Sequence, residues 1–449
     1  MRMSLRLVAT FGARVGVIAL AALSACMPPS GSRQGQVVVK APREVLTGSI
    51  DSLLADSQFR GAQLGVLIVN PRTADTLYSQ NAGKLFMPAS NQKILTGAVA
   101  LAQLGPEYRY RTAIMKRGAL REGALEGDLV VVGNGDPTLS DRVHGDAMVA
   151  MAAIADSLAG RGLRSVTGKL ASGGDAFPDA IYGYGWELDD LTSSGAPVDE
   201  LLFDEGMVNV LRRVGLRDSV VETGTSDPTR AYLAALDTAL RGRGITVAGG
   251  IADSIVTLDA GLDTLYAFSS PPLREILRHF EKPSQNQIGE ILIRTLGRER
   301  AGVGIADSGA AVISRQLLAW GAEKDGFVVY DGSGLSRHNL VSPETLVRTL
   351  VAIQRDTAFS AFYDALPIAA TDGTVRTRMA GTAAAGNMHA KTGTLEFVRS
   401  LSGYVTTADG ERLVFSLLSN HFIVPVDAIN RFQDAVVTAL ANYRSSPSR

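Results

Sequence analysis

Residues 88–104 read PASNQKILTGAVALAQL, and Gly105-Pro106 follows as a stop signal. Apolar residues fall on nearly every side of this stretch, which predicts a helix opening at Pro88-Ala89 and buried at the centre of a domain. Helical spacing places the Ser90 hydroxyl and the Lys93 amine on one face. The macrodipole at the helix N-terminus stabilises the negative charge that develops on the Ser90 oxygen. Burial in an apolar helix lowers the pKa of Lys93, which favours the uncharged amine. The pair can therefore act as nucleophile and general base without a histidine.

A capping serine next to a surface lysine is the plainer interpretation of this pair. One S-x-x-K pattern is expected by chance in a chain of 449 residues. Ser90 and Lys93 nevertheless form the only such pattern among the eight lysines of the chain.

Two other short motifs can supply the remaining groups of such a site. Residues 391–394 (Lys-Thr-Gly-Thr) lie in a predicted strand, where a lysine, two hydroxyls and a glycine that permits close backbone approach can bind a carboxylate. Residues 284–286 (Ser-Gln-Asn) stand at a predicted helix start. Each has a structural alternative, an edge strand blunted by a lysine for the first and ordinary N-cap residues for the second. A second S-x-N at 79–81 lies in a predicted hairpin before the S-x-x-K helix and is set aside.

The three motifs, in this chain order, resemble the signature of penicillin-binding proteins and serine β-lactamases. Lys93 and Ser284 are 191 positions apart. A long insertion at this point resembles the class C low-molecular-mass penicillin-binding proteins, which are D-alanyl-D-alanine carboxypeptidase/endopeptidases similar to penicillin-binding protein 4. Further stretches over roughly residues 45–445 match that family, namely GNGDPTL at 133–139, GW at 185–186, DGSGLSR at 331–337, TDGT at 371–374 and HAKTGTL at 389–395.

The chain departs from the family pattern in the insertion. An aspartate-led D-x-S-x-F segment is usual there, whereas residues 173–177 read Gly-Gly-Asp-Ala-Phe. This difference puts an acidic contact to a substrate side-chain amine in doubt. The insertion also looks shorter than usual after about Val208, as if its outer part were reduced.

The resemblance implies catalysis through a serine acyl-enzyme. Ser90 would attack the carbonyl between the two terminal D-alanines, and Lys93 would accept the serine proton. Ser284 would relay a proton to the leaving amine, while Asn286 would hold the substrate amide and orient Lys93. β-Lactam antibiotics would acylate Ser90 and leave slowly.

The resemblance also implies how the substrate, a peptidoglycan stem peptide, would be held. Lys391, Thr392, Gly393 and Thr394 would bind the terminal carboxylate, with Lys391 counted among the catalytic residues. The backbone N–H groups of Ser90 and Thr394 would form the oxyanion hole. Arg337 would grip the diaminopimelate end of the peptide.

The N-terminal residues predict export and lipid attachment. Residues 1–14 contain three arginines and no acid, and 15–25 form an apolar run too short to span a bilayer. The run ends in Leu-Ser-Ala-Cys, which resembles a bacterial lipobox and implies cleavage before Cys26 and diacylglycerol on its sulfur. We expect a signal peptide at 1–25, a flexible tether at 26–44 and a periplasmic protein anchored to a membrane through Cys26. The alternative is an ordinary signal peptide with an incidental cysteine.

Composition excludes several other classes of protein. With 46 % hydrophobic and 20 % charged residues, the chain can bury a core. A net charge of −1 shows no excess of positive charge that would favour nucleic-acid binding. One cysteine excludes an intrachain disulfide and a multi-cysteine metal site, and the five histidines show no metal-binding spacing. The resemblance implies that the reaction requires neither a metal nor a cofactor.

Strand-like runs at both ends of the chain, with helices between and after them, predict one α/β (α+β) catalytic domain split by an insertion. Its fold would be that of the β-lactamase/transpeptidase family, an antiparallel sheet flanked by helices. We assign 45–108 and 264–449 to this domain and 109–263 to an inserted mixed α/β domain with one helix at 147–158. Two other functions stay open, a β-lactamase-like hydrolase and a non-catalytic cell-wall binding lipoprotein.

Overall fold

The computed structural model describes residues 41–191, 194–214 and 217–445. The predicted signal peptide, Cys26 and most of the predicted tether lie outside these described residues. The first helix starts at Pro42, inside the stretch predicted as tether. Within the described ranges, every helix is either too short or too polar to cross a membrane.

The helices are α1 (Pro42–Leu54), α2 (Gln92–Leu104), α3 (Asp141–His144), α4 (Ala147–Gly160), α5 (Pro228–Gly242), α6 (Leu273–Glu281), α7 (Asn286–Ala301), α8 (Ala306–Ala319), α9 (Pro343–Ile353), α10 (Phe359–Ala365) and α11 (Val426–Asn442). The strands are β1 (Gln63–Asn70), β2 (Asp75–Gln80), β3 (Arg111–Arg121), β4 (Ala124–Val132), β5 (Ser165–Val166), β6 (Leu170–Ser172), β7 (Met207–Val214), β8 (Arg217–Gly224), β9 (Thr246–Val247), β10 (Leu262–Ser269), β11 (Phe327–Val328), β12 (Leu340–Val341), β13 (His389–Leu395), β14 (Val398–Thr406) and β15 (Arg412–Asn420). Short 3₁₀ turns lie at Ser57–Phe59, Ala89–Asn91, Leu188–Asp190, Asp204–Gly206 and Gly373–Val375.

The main sheet joins the two ends of the described chain. Its strand order is β13-β14-β15-β1-β2, and all of its neighbouring strands are antiparallel. Alternate residues of β1 point to opposite faces: Val66 and Ile68 pack with α1 and α11, and Leu67 packs with the helices on the other side. The predicted antiparallel sheet flanked by helices is thereby confirmed.

Helix α2 is the buried central helix expected from its sequence. Every residue from Gln92 to Leu101 is buried, and the helix packs against α6, α7, α8 and α9. The α-helix begins at Gln92 and not at Pro88-Ala89 as predicted, because Ala89 has a φ of +48° and residues 89–91 form a 3₁₀ turn. Ser90 therefore lies in a tight turn directly before the helix.

A second, mixed sheet is formed by the middle of the chain. Its order is β10-β3-β4-β5-β9, with β6 also paired to β4, and its core includes α4 and α5. Pairing of β10 with β3 extends this sheet to Ser269, beyond the predicted end of the insertion at 263. The described residues form one compact unit, and the division into catalytic and inserted domains stays a prediction.

Helix α5 and the strand pair β7–β8 of this middle region were not foreseen. Helix α5 was missed although Asp227 caps it and Pro228 occupies its first turn, both of which are helix-start signals. Strands β7 and β8 form a separate antiparallel ribbon just where the insertion looks short. The prediction of a single helix in the insertion was therefore wrong.

Candidate active site

The turn before α2 places Ser90 beside Lys93. The Lys93 Nζ lies 3.0 Å from the Ser90 Oγ. Ser90 is half-buried and lines a cleft of about 540 Å³, whereas Lys93 is fully buried. The hydroxyl therefore faces the cleft while the amine lies behind it, away from the surface.

Lys93 has the surroundings of a neutral base. The Nζ also contacts Asn286 Oδ1 at 2.6 Å and the Ser333 carbonyl oxygen at 2.7 Å. Those two atoms can only accept hydrogen bonds, so a neutral amine can donate to both and keep its lone pair for the Ser90 hydroxyl proton. Burial, assisted by the positive charge of Lys391, lowers the pKa of Lys93 to about 7.

The S-x-N motif lies between α6 and α7. Ser284 has a φ of +66°, an uncommon conformation for a serine, and Asn286 is the first residue of α7. This turn directs the Asn286 side chain to Lys93. The Asn286 Nδ2 donates to the Ser194 carbonyl oxygen at 2.7 Å, so a loop of the middle region reaches the S-x-N motif.

The K-T-G motif lies on β13, at the edge of the main sheet beside the cleft. Lys391 is fully buried, and its Nζ contacts Ser284 Oγ at 2.8 Å and the Thr392 carbonyl oxygen at 3.0 Å. Gly393 is required by sterics, since a Cβ there would lie 2.6 Å from the Pro88 carbonyl oxygen and 3.0 Å from the Ser90 backbone nitrogen. The Asn91 side chain also donates to the Lys391 carbonyl oxygen at 2.9 Å. These contacts fix β13 against the turn that holds Ser90.

The two threonines of the motif differ in their surroundings. The Thr392 Oγ1 lies 2.6 Å from the Thr374 Oγ1, which connects the TDGT stretch to the K-T-G strand. Thr394 is exposed and lines the cleft. Because Gly393 lies against the Ser90 backbone nitrogen, the N–H groups of Ser90 and Thr394 belong to neighbouring segments of the same wall.

Arg337 also lines the cleft, but its guanidinium already has partners. Its Nε forms an ion pair with Glu187 at 3.1 Å, and its Nη1 donates to the Glu396 carbonyl oxygen at 3.3 Å. Arg337 thus joins the middle region to the β13–β14 turn. Its predicted contact with a peptide would add to these bonds or replace them.

The turn that carries Ser333 is held by groups that the motifs do not contain. Asp331, fully buried, accepts hydrogen bonds from the backbone of Gly334 and Ser336 and from the Trp186 indole at 3.0 Å. Glu290 accepts from the backbone of Gly332 and Ser333. Trp186 is half-buried and reaches this turn through its indole N–H. Its GW motif and the DGSGLSR motif were both noted in the sequence, but no role was assigned to Trp186 or Asp331.

One wall of the cleft is acidic and another is apolar. Asp189 and Asp190 line it, and their oxygens and those of Glu187 lie within 4.8 Å of one another. Elsewhere along the cleft, Phe397 and Ile423 are exposed apolar residues. The apolar wall joins residues from separate loops, and no local sequence pattern places the 187–190 segment at the cleft.

Comparison with known proteins agrees with this geometry. The model of the D-Ala-D-Ala carboxypeptidase 3 (S13) family matches residues 46–215 and 216–443. A D-alanyl-D-alanine carboxypeptidase of Actinomadura sp. is 33 % identical over 467 residues, covering 89 % of this chain and 85 % of the relative.

Solved structures share the fold. The crystal structure of penicillin binding protein 4 from Haemophilus influenzae matches with a TM-score of 0.76 at 22 % identity, over 88 % of this chain and 99 % of that one. A predatory endopeptidase of Bdellovibrio bacteriovorus, solved with an immunity protein, matches with a TM-score of 0.57 at 19 % identity, over 86 % of this chain and 95 % of that one.

Proposed function

Because the chain belongs to the D-Ala-D-Ala carboxypeptidase 3 (S13) family, its activity is that of a serine D-alanyl-D-alanine peptidase, and we propose that Ser90 carries this chemistry. The observation that supports the assignment is the hydrogen-bond set of Lys93. Of its three partners in the described chain, Ser90 is the one able to give up a proton. A base in this position turns a weak hydroxyl into a nucleophile. The substrate is the D-alanyl-D-alanine end of a peptidoglycan stem peptide.

Acylation follows from the positions of four side chains. Lys93 takes the Ser90 proton as the serine oxygen bonds to the carbonyl carbon between the two D-alanines. The Ser90 and Thr394 backbone N–H groups stabilise the oxyanion, each such donor lowering the barrier by about 3–4 kcal/mol. When the C–N bond breaks, the leaving amine takes a proton from the Ser284 hydroxyl, which takes one from the Lys391 ammonium at 2.8 Å.

Deacylation returns both protons. Water attacks the acyl carbon and gives a proton through Ser284 to Lys391, and Ser90 leaves with the proton held by Lys93. The two lysines together carry one positive charge before and after acylation, first on Lys391 and then on Lys93. Both lysines are fully buried, so this charge stays beneath the cleft through the cycle.

Labelling with fluorescent penicillin tests this assignment. The wild type is expected to form a stable covalent adduct and to release D-alanine from a pentapeptide, whereas Ser90→Ala should do neither. Absence of label on the folded wild type would refute the assignment. Rapid penicillin hydrolysis without D-alanine release would favour the β-lactamase-like alternative.

We also propose endopeptidase action on crosslinked stem peptides. The cleft is open beside the β13 edge, where an extended peptide can add as a further strand. A crosslinked muropeptide dimer should then be converted to monomers by the wild type and not by Ser90→Ala. Release of D-alanine with an intact dimer would restrict the enzyme to carboxypeptidase action.

We further propose a periplasmic location with a lipid anchor on Cys26. The support is the basic segment, the short apolar run and the Leu-Ser-Ala-Cys sequence that ends it. Metabolic labelling with a radioactive fatty acid should mark the wild type and not Cys26→Ser, and the variant should leave the membrane fraction. A variant that stays membrane-bound and unlabelled would contradict the anchor.

A further inference from the structure

Glu281 is a buried carboxylate that the mechanism above does not use. It is the last residue of α6, three positions before Ser284, and has no solvent exposure. Neither of its carboxylate oxygens has a hydrogen-bond partner among the described residues. Burying such a group is costly unless an opposite charge compensates for it.

The central helix leaves room for this carboxylate. A Cβ atom on Gly97 would lie 2.8 Å from the Glu281 Oε1. Gly97 is one helical turn beyond Lys93, so the carboxylate reaches the same helix that carries the base. A glycine is unfavourable in the interior of a helix, and here its small size admits the acid.

The charged groups that act on Glu281 are the two catalytic lysines. Lys391 on β13 exerts the larger effect and Lys93 on α2 the smaller. The neighbouring Lys282 is engaged elsewhere, in an ion pair with Asp372 at 2.6 Å. Asp331 and Glu290 also act on Lys93, both from the side of the Ser333 turn. Lys391, Lys93 and Glu281 are thus enclosed together beneath the cleft, and two further buried carboxylates act on Lys93 from the Ser333 turn.

We propose that Glu281 is a positioning residue whose carboxylate supplies the negative charge that balances the single positive charge shared by Lys93 and Lys391. The inference rests on the proposed function, because it assigns Glu281 the task of keeping one lysine charged while the other acts as a base. In the resting enzyme the charge balance is Lys391 ammonium, Glu281 carboxylate and Lys93 free amine. After acylation the same carboxylate balances the Lys93 ammonium.

The directions of the pKa shifts agree with this charge balance. Burial raises the pKa of Glu281, and the positive charges of Lys391 and Lys93 oppose that rise. Burial lowers the pKa of Lys391, and Glu281 opposes that fall. Loss of the carboxylate therefore lowers the pKa of both lysines. Activity needs Lys93 uncharged and Lys391 charged, so both limbs of a bell-shaped pH profile must move to lower pH.

The test compares three variants in the full-length protein. Glu281→Gln removes the charge and keeps the shape, and Glu281→Asp keeps the charge. Glu275→Gln makes the same chemical change on the exposed face of α6 and is the matched control. The readouts are penicillin acylation and D-alanine release from a pentapeptide across the pH range, with thermal unfolding to confirm that each variant folds.

We expect both limbs of the Glu281→Gln profile to move down by about one pH unit or more, the size of effect typical of a nearby charge. On the alkaline side KM should rise, because Lys391 loses the charge that attracts the substrate carboxylate. Glu281→Asp and Glu275→Gln should keep the wild-type limbs. A folded Glu281→Gln variant with an unmoved profile would overturn the inference, even with the proposed function intact. Failure of the wild type to bind penicillin would refute the proposed function instead.

Discussion

At the scale of single residues, the central problem of this site is how a lysine can be a base near neutral pH. Lys93 meets the condition through burial and through the positive charge of Lys391, which together lower its pKa to about 7. The amine must be deprotonated to accept the Ser90 proton. The reactive fraction of the enzyme therefore increases as the pH rises through that value.

The increase of the reactive fraction with pH gives the first prediction, which concerns the acid limb of the pH profile. Penicillin acylation should fall about tenfold for each pH unit below about 7, because one proton must leave Lys93 before Ser90 can react. Stopped-flow measurement of the acylation rate constant across buffers of constant ionic strength checks this. A rate that stays flat from pH 7 to about pH 5 would show that Lys93 is not the base.

A second prediction concerns the kind of cation at this position. Lys93→Arg keeps a positive charge but cannot be deprotonated, so acylation should fall by at least about 100-fold at every pH. Lys324→Arg, on an exposed residue outside the motifs, is the matched control and should leave the rate unchanged. Substantial acylation by a folded Lys93→Arg variant would assign the base elsewhere.

At the scale of elements, the close approach of β13 to the Ser90 turn sets the geometry of the reaction. Gly393→Ala should place a methyl group against the Pro88 carbonyl oxygen and the Ser90 nitrogen. Overpacking of this kind costs about 1–3 kcal/mol, and the displaced strand should reduce acylation. Thermal unfolding and acylation kinetics measure the two effects. Gly48→Ala on α1, where nothing lies within 4 Å, is the control and should lower neither.

The turn at 331–336 is the second element on which Lys93 depends, since its Ser333 carbonyl oxygen is one of three partners of the amine. In the wild type, the backbone N–H groups of Gly334 and Ser336 donate to the two carboxylate oxygens of Asp331. Asp331→Asn replaces one of these oxygens with an NH₂ group, which cannot accept a hydrogen bond. An unsatisfied buried group costs about 1–3 kcal/mol, so both the unfolding temperature and acylation should fall. Asp325→Asn, on an exposed residue, is the control and should have neither effect. Unchanged acylation by Asp331→Asn would show that the turn does not depend on this carboxylate.

The elements also show what a sequence can and cannot reveal about this site. The proximity of Ser90 and Lys93 was predictable because the two residues are three positions apart in one short segment. Residues 391–394 were predictable as a group because they are consecutive on one strand. The same local signals predicted the antiparallel sheet and α2. The contact of Ser194 with Asn286 and the enclosure of Glu281 join segments that are distant in the sequence. Only tertiary packing brings them together, so no local pattern marks them.

At the scale of the whole molecule, the middle region completes the cleft that the main sheet begins. The Ser194 carbonyl oxygen accepts a hydrogen bond from Asn286, and the Trp186 indole donates one to Asp331. Glu187 forms an ion pair with Arg337. All three contacts run from one loop of the middle region to a motif of the catalytic part. The same region therefore contributes both to the position of the catalytic groups and to the surface that a long peptide would meet.

Arg337 allows the two contributions to be separated. A small penicillin needs only the groups around Ser90, whereas a stem peptide reaches the outer wall. Arg337→Ala should therefore raise KM for a diaminopimelate-containing pentapeptide severalfold. Penicillin acylation should stay within about twofold of the wild type, because the Arg337–Glu187 pair is partly exposed to solvent and such pairs contribute only about 0–1 kcal/mol to stability. Glu187→Gln, which removes the ion-pair partner of Arg337 and leaves its bond to the Glu396 carbonyl oxygen, is the matched control and should leave KM equal or lower. Equal losses toward penicillin and peptide in Arg337→Ala would instead show that the Glu187–Arg337 pair maintains the cleft itself and does not select the substrate.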